Sequence, residues 1–130
     1  LVVTCTVRAG FDDQPAHPAA RSATALSEAV SRLLERDARN EDRDSREFLR
    51  AIKQLIDADG FRLGNADVTI IAQTPRMAPH IDAMKEILAQ ELDCAPARIN
   101  IKATTTERLG FVGRGEGLAA QATVLLAAVG

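Results

Sequence analysis

The sequence predicts an α/β fold, a sheet of about four strands with helices packed on one face. Three observations point to it. Stretches with alternating or β-branched apolar residues recur at residues 1–7, 67–72, 98–103 and 118–129. Between them, apolar residues return every three or four positions, the period of a helix with one buried stripe. Glycines and prolines punctuate the joins. Strands separated by helices make a sheet layer covered by helices. At 130 residues and 13.9 kDa, the chain reads as one domain, residues 1–130, large enough for a single core.

Each element has its own reason. Val3, Cys5 and Val7 alternate with Thr4 and Thr6, a strand that feeds a turn at Ala9-Gly10. Pro15 and Pro18 make residues 12–20 a loop. From Ser22, the spacing of Leu26, Val30, Leu33 and Leu34 gives an amphipathic helix, which fades into the charged run 35–43, a solvated loop. A second helix starts at Asp44, whose carboxylate can cap while Glu47 reaches back. Phe48, Leu49, Ile52, Leu55 and Ile56 form its stripe until Gly60 ends it.

Val68, Thr69, Ile70 and Ile71 are typical of a covered strand, and residues 73–78 make a Pro-containing connection. Pro79 suits a helix start, Ile81, Met84, Leu88 and Leu92 share one face, and Pro96 breaks the helix. In residues 98–103, Ile99, Ile101 and Ala103 alternate with Asn100 and Lys102, the pattern of a half-buried strand. Residues 118–129 read either way, since their alanines favour helix while ATVLLAAV suits a buried strand.

Composition excludes several function classes. A net charge of −2, from 16 Lys and Arg against 18 Asp and Glu, leaves no strongly basic face for general nucleic-acid binding. With no Trp or Tyr, stacking platforms for single strands are missing too. Cys5 and Cys94 lack metal-type spacing and fit reduced thiols in a cytoplasmic protein. No apolar run approaches membrane-spanning length, and no signal-peptide pattern is present, so no membrane partner is expected.

Residues 102–117, KATTTERLGFVGRGEG, concentrate the chemistry. Thr104, Thr105 and Thr106 offer hydroxyls and backbone N–H groups, with Lys102, Arg108 and Arg114 adding positive charge, a combination suited to phosphate oxygens. Gly110, Gly113, Gly115 and Gly117 allow tight turns, and the Glu107 carboxylate could hold a divalent cation against a diphosphate. Composition alone leaves open a Gly-rich turn with solvated charges.

The order of residues resolves the choice, because ATTTERLGFVGRGEG closely resembles the C-terminal signature of the 2-C-methyl-D-erythritol 2,4-cyclodiphosphate synthase family. GNADVTIIAQTPRMAPHIDAM, residues 64–84, resembles that family's cytidine-binding segment, and DSREFLR, residues 44–50, the start of its preceding helix. Two long motifs in order are far more specific than a lone glycine pattern. The resemblance spans residues 44–130 and implies a mixed sheet in a cyclodiphosphate-synthase-like homotrimer. It also implies a lyase of the methylerythritol phosphate pathway, which closes a cyclic diphosphate on a phosphorylated isoprenoid precursor and releases CMP.

By the same resemblance, Ala72, Pro75, Arg76, Met77 and Ala78 hold the cytidine nucleotide, with Arg76 where the family usually has Lys. Ala103, Thr104 and Thr105 match the phosphate-binding turn, and Glu107 the carboxylate that holds magnesium between phosphates. Thr105 and Glu107 are the implied catalytic pair. The alternative role for the threonines is N-capping of the turn that follows. Phe111, Arg114 and Glu116 match residues around the family's threefold axis, and Arg114 paired with Glu116 also suits a structural salt bridge. His80, Met77 and Met84 read as structural or packing residues.

Residues 1–43 read as a divergent or shortened N-terminal part. The resemblance implies a zinc held by one Asp and two His, and Asp12 matches the Asp, but Gln14 and Thr24 stand where the histidines are expected. Neither an amide nor a threonine hydroxyl is a usual zinc ligand. His17 with Asp13 is a substitute to weigh against a simply solvated histidine. Two functions follow. One is the family's lyase activity; the other is a catalytically impaired protein that trimerises and binds cytidine nucleotide without turnover, for which very slow CMP release is expected.

Overall fold

The computed structural model describes residues 2–9 and 44–129. The expected loop at 12–20, helix from Ser22, charged run 35–43, and Asp12, Gln14, His17 and Thr24 lie outside the described residues. Strand β1 is Val2–Ala9, helix α1 Ser45–Ala58, strand β2 Phe61–Ile71, helix α2 Ile81–Glu91, strand β3 Ile99–Thr104, the single-turn helix α3 Gly110–Gly113, and strand β4 Ala119–Ala128. Short 3₁₀ turns at Ala78–His80 and Pro96–Arg98 precede α2 and β3. The strands form one sheet in the order β1-β4-β2-β3. Residues 118–129, legible as helix or strand, are therefore an inner strand.

β2 and β3 run parallel, with Ala66 beside Ile99 and Ile71 beside Thr104. β4 runs antiparallel to β2: Val129 N–H donates to the Gly60 carbonyl, and Gly64 lies against Leu125. The sheet is thus mixed. β2 begins six residues earlier than its β-branched run suggests, and Gly64 within it does not break the strand. Instead Gly64 lets β4 approach closely, since a Cβ there would sit 3.0 Å from the Leu125 carbonyl oxygen.

The chain divides into two compact units, residues 1–8 with 63–125 and residues 9–62 with 126–130. In the first, Leu63, Ala66, Ala72, Ala89, Ile99, Ile101 and Val112 are buried. α2 packs on β3, and the register puts Ala66, Val68, Ile70, Ile99, Ile101 and Ala103 on one face of the parallel pair. The other face carries Asp67, Thr69, Ile71, Asn100, Lys102 and Thr104, and Val68 to Ile71, read as a covered strand, are half-buried. α2 ends at Glu91, before Pro96, with Asp93 at φ 51 and the Cys94 N–H reaching the Ala89 carbonyl at 3.0 Å.

In the second unit, Ile56, Phe61 and Leu126 are buried. Asp44 caps α1 as the sequence predicts, accepting from the Arg46 N–H at 2.9 Å. The guanidinium of Arg46 folds back onto the same carboxylate at 2.6 Å. These hydrogen bonds from Arg46 pull the Asp44 carboxyl from its usual 3.8 to about 2. Among the described residues, no helix is long and apolar enough to cross a membrane.

Ile99 is 2% exposed, so Ile99→Ala is expected to lower unfolding free energy by roughly 2–5 kcal/mol in urea denaturation, the cost of an unfilled core site. A loss well below about 1 kcal/mol would contradict the packing of β3.

Candidate functional site

The site arises where β2 and β3 end. Because the strands are parallel and in register at Ile71 and Thr104, the loops that follow them leave the same edge of the sheet. This carboxyl edge is where open α/β sheets place their ligands. The Ala72 N–H donates to the Thr104 carbonyl at 3.0 Å, extending the pairing one residue into the loop. One position further, the Gln73 Oε1 accepts from the Arg108 N–H at 3.0 Å. Residues 72–78 and 103–108, 31 positions apart at their starts, are thereby joined side by side.

On the first loop, Ala72 is buried, Met77 half-buried, and Pro75, Arg76 and Ala78 exposed. The Thr74–Pro75 peptide is cis. On the second, Ala103, Thr104, Thr105 and Glu107 are all exposed. The Thr104 hydroxyl donates to the Thr105 carbonyl at 3.2 Å, and the Thr105 hydroxyl to Glu107 Oε1 at 3.3 Å. The Glu107 N–H in turn donates to Thr105 Oγ1 at 3.2 Å. Both hydroxyl bonds are long and solvent-accessible, so rotating a donor toward an incoming phosphate sacrifices little.

The capping role weighed for the threonines is met by Thr105, whose Oγ1 accepts from the Glu107 N–H at the head of the turn that the Leu109 N–H closes onto the Thr106 carbonyl, while no threonine caps α3. Its cap residue is Leu109, without a side-chain bond, while the Thr106 hydroxyl donates to the Leu109 carbonyl at 2.6 Å. Glu107 and Arg108 both sit in the left-handed region, at φ 51 and 66, which sets the direction of the Glu107 carboxylate. That carboxylate, exposed beside the threonines, suits magnesium, which typically takes one or two carboxylates together with phosphate oxygens and waters.

Other residues stand apart from this pair of loops. Lys102, read from the sequence as charge for the phosphate turn, instead donates to both carboxylate oxygens of Asp67 at 2.8 and 2.7 Å. The bond from Lys102, then that from Asn100, holds Asp67 below its usual pKa. Arg114 pairs with Glu116 through two bonds of 2.7 and 3.1 Å, the structural salt bridge weighed from the sequence, and this raises its pKa. Phe111, partly exposed, lies against Gly117. His80 is exposed and makes no side-chain capping bond at the start of α2.

Among the described residues, no three His, Cys, Asp or Glu side chains gather as a metal site would require. An open groove of about 430 Å³ lies along the end of α2, lined by Glu86, Ala89, Gln90, Asp93, Cys94, Ala95 and Pro96 and by no motif residue. Its free thiol, Cys94, has its pKa pushed up by burial.

Two participants escaped the sequence reading. Gln73 lies inside the matched segment, but nothing in a linear sequence signals a bond to position 108. Gly113 was read only as a turn residue; in the structure an added Cβ would overlap the Arg108 carbonyl carbon and come within 2.6 Å of its Cα.

The profile of the YgbB family matches residues 16–127. A 2-C-methyl-D-erythritol 2,4-cyclodiphosphate synthase from Vibrio vulnificus is 59% identical over 83 residues, which cover 64% of this chain and 52% of that protein. One from Geobacter sulfurreducens is 51% identical over 104 residues, covering 80% of this chain and 66% of the relative. The chain thus spans about half to two-thirds of the length of these relatives. Among solved structures, Plasmodium falciparum IspF in a CDP complex superposes with a TM-score of 0.65 at 28% identity, over 67% of this chain and 56% of that one.

Gly113→Ala is expected to destabilise the protein by about 1–3 kcal/mol, the usual range for overpacking, although Ala is ordinarily the better helix former. Thermal or urea denaturation checks it. A neutral or stabilising outcome would show that the Arg108 backbone leaves room for a Cβ at Gly113.

Proposed function

The chain belongs to the YgbB family, and on that footing we propose that it acts as a 2-C-methyl-D-erythritol 2,4-cyclodiphosphate synthase in isoprenoid biosynthesis. In this reaction the substrate's terminal phosphate attacks the phosphorus of the cytidine diphosphate group that bears the methylerythritol. A new P–O–P bond closes the ring, the bond to the CMP phosphate breaks, and CMP leaves. The observation that carries the reading is the joining of the two loops at the carboxyl edge of β2 and β3.

The roles follow from the positions. Backbone groups of residues 72–78, with Pro75, Arg76, Met77 and Ala78 in the exposed part, take the cytosine, as the resemblance implies. Ala103, Thr104 and Thr105 face the diphosphate, the hydroxyls donating to its oxygens. Little covalent chemistry is asked of the protein, so positioning and charge compensation carry the rate. Magnesium at Glu107, when bound, supplies neutralisation of the charge on the phosphates. Zinc is the second cation implied by the resemblance; Asp12 lies outside the described residues, and no step is derived through it.

A homotrimer belongs to the same reading. Leu109 and Phe111, 73% and 41% exposed, are apolar surface on the segment after the phosphate turn that a neighbouring copy would cover, and the Arg114–Glu116 pair lies on the same segment. A cytoplasmic location accords with the free thiol of Cys94. The relatives give no support to the non-catalytic alternative.

The test follows CMP release from the cytidine diphosphate ester with magnesium and zinc supplied. Release by the parent protein, reduced on the order of 10²–10³-fold in Glu107→Gln, is the expected outcome, since that is the usual cost of removing one preorganised electrostatic contact. Binding of the ester without CMP release would overturn the proposal.

A further inference from the structure

We infer that Gln73 is a positioning residue that clasps the base-binding loop to the phosphate-binding turn, holding Glu107 in place for the diphosphate. The inference rests on the nucleotide reading above. The bonds inside the turn are local: Glu107 N–H to Thr105 Oγ1, Leu109 N–H to the Thr106 carbonyl, and Thr106 hydroxyl to the Leu109 carbonyl. The Gln73 bond to the Arg108 N–H spans 35 positions and reaches the turn from the other loop.

Its placement gives it leverage. Gln73 follows Ala72, which is 6% exposed and bonded through its N–H to Thr104, so the amide projects from a fixed point. Arg108 is the second of two consecutive left-handed residues, a conformation that non-glycine residues keep only when surroundings enforce it. Gly113 lies so near the Arg108 backbone that a Cβ would not fit between them, while the Gln73 carbonyl oxygen holds the Arg108 N–H. Together they fix the peptide that follows Glu107. Releasing the clasp frees that peptide to relax, and the Glu107 carboxylate turns with it. The loss should fall on the diphosphate end of the ligand and spare the base end.

The experiment compares the parent with Gln73→Met, which keeps the length but removes the acceptor, and Gln73→Glu, which restores one. In ligand-free protein, amide hydrogen exchange at Arg108 should accelerate in Gln73→Met and return toward the parent rate in Gln73→Glu. The Glu variant is judged by exchange alone, because its charge repels phosphates. With magnesium present, Gln73→Met should weaken CDP roughly tenfold, the scale of one lost hydrogen bond, while CMP affinity changes far less. Unaltered Arg108 exchange, or equal losses for CDP and CMP, would overturn the inference. CDP binding by the parent with an unchanged Gln73→Met would sink the inference alone, whereas no CDP binding by the parent would sink the nucleotide reading as well.

Discussion

Parallel pairing of β2 with β3 is the constraint on which the candidate site depends. A parallel pair sends both of its following loops off one edge, where an antiparallel pair would send them to opposite ends. The register places Ile71 beside Thr104, so the residues that match a cytidine segment and those that match a phosphate turn begin at the same level. A slip of β3 by one residue would exchange its two faces, burying Asn100 and Lys102 and exposing Ile99 and Ile101. The apolar face under α2 therefore pins the register, and the register positions the loops.

The site built on this edge is open. Thr104, Thr105, Glu107 and Arg76 are exposed, and among the described residues no polar or charged side chain is buried. Water competes there with every hydrogen bond, and salt screens the charges. Affinity for a phosphorylated ligand must then come from several donors acting together, and from surface that excludes water around them. Leu109 and Phe111 are apolar and partly uncovered, and in the proposed trimer a second copy would make them such surface. Their exposure in the single chain links the proposed assembly to the proposed chemistry.

Much of this was legible in the sequence, for reasons that differ by element. The stripe of α1 and the alternation of β3 follow from burial on one side, which a one-dimensional pattern records directly. β4 was ambiguous because alanine-rich runs satisfy helix propensity and a strand's packing equally; only its place between β1 and β2 decides. The early part of β2 carries no β-branched run to mark it, and Gly64 within it is a close-approach residue against Leu125. At the site, ordered motifs revealed the two loops. Lys102 was assigned to the phosphates because its neighbours in sequence are threonines, whereas across the sheet it faces Asp67. The Gln73 clasp and the contact of Gly113 with Arg108 belong to tertiary packing, which no local pattern encodes.

The most direct measurement of the central claim is a CDP titration followed by backbone amide chemical shifts. The account predicts that amides of residues 72–78 and 104–108 shift together and saturate with one dissociation constant, because a single ligand bridges the two loops. Shifts confined to one loop, or to the groove around Cys94 and Pro96, would contradict it.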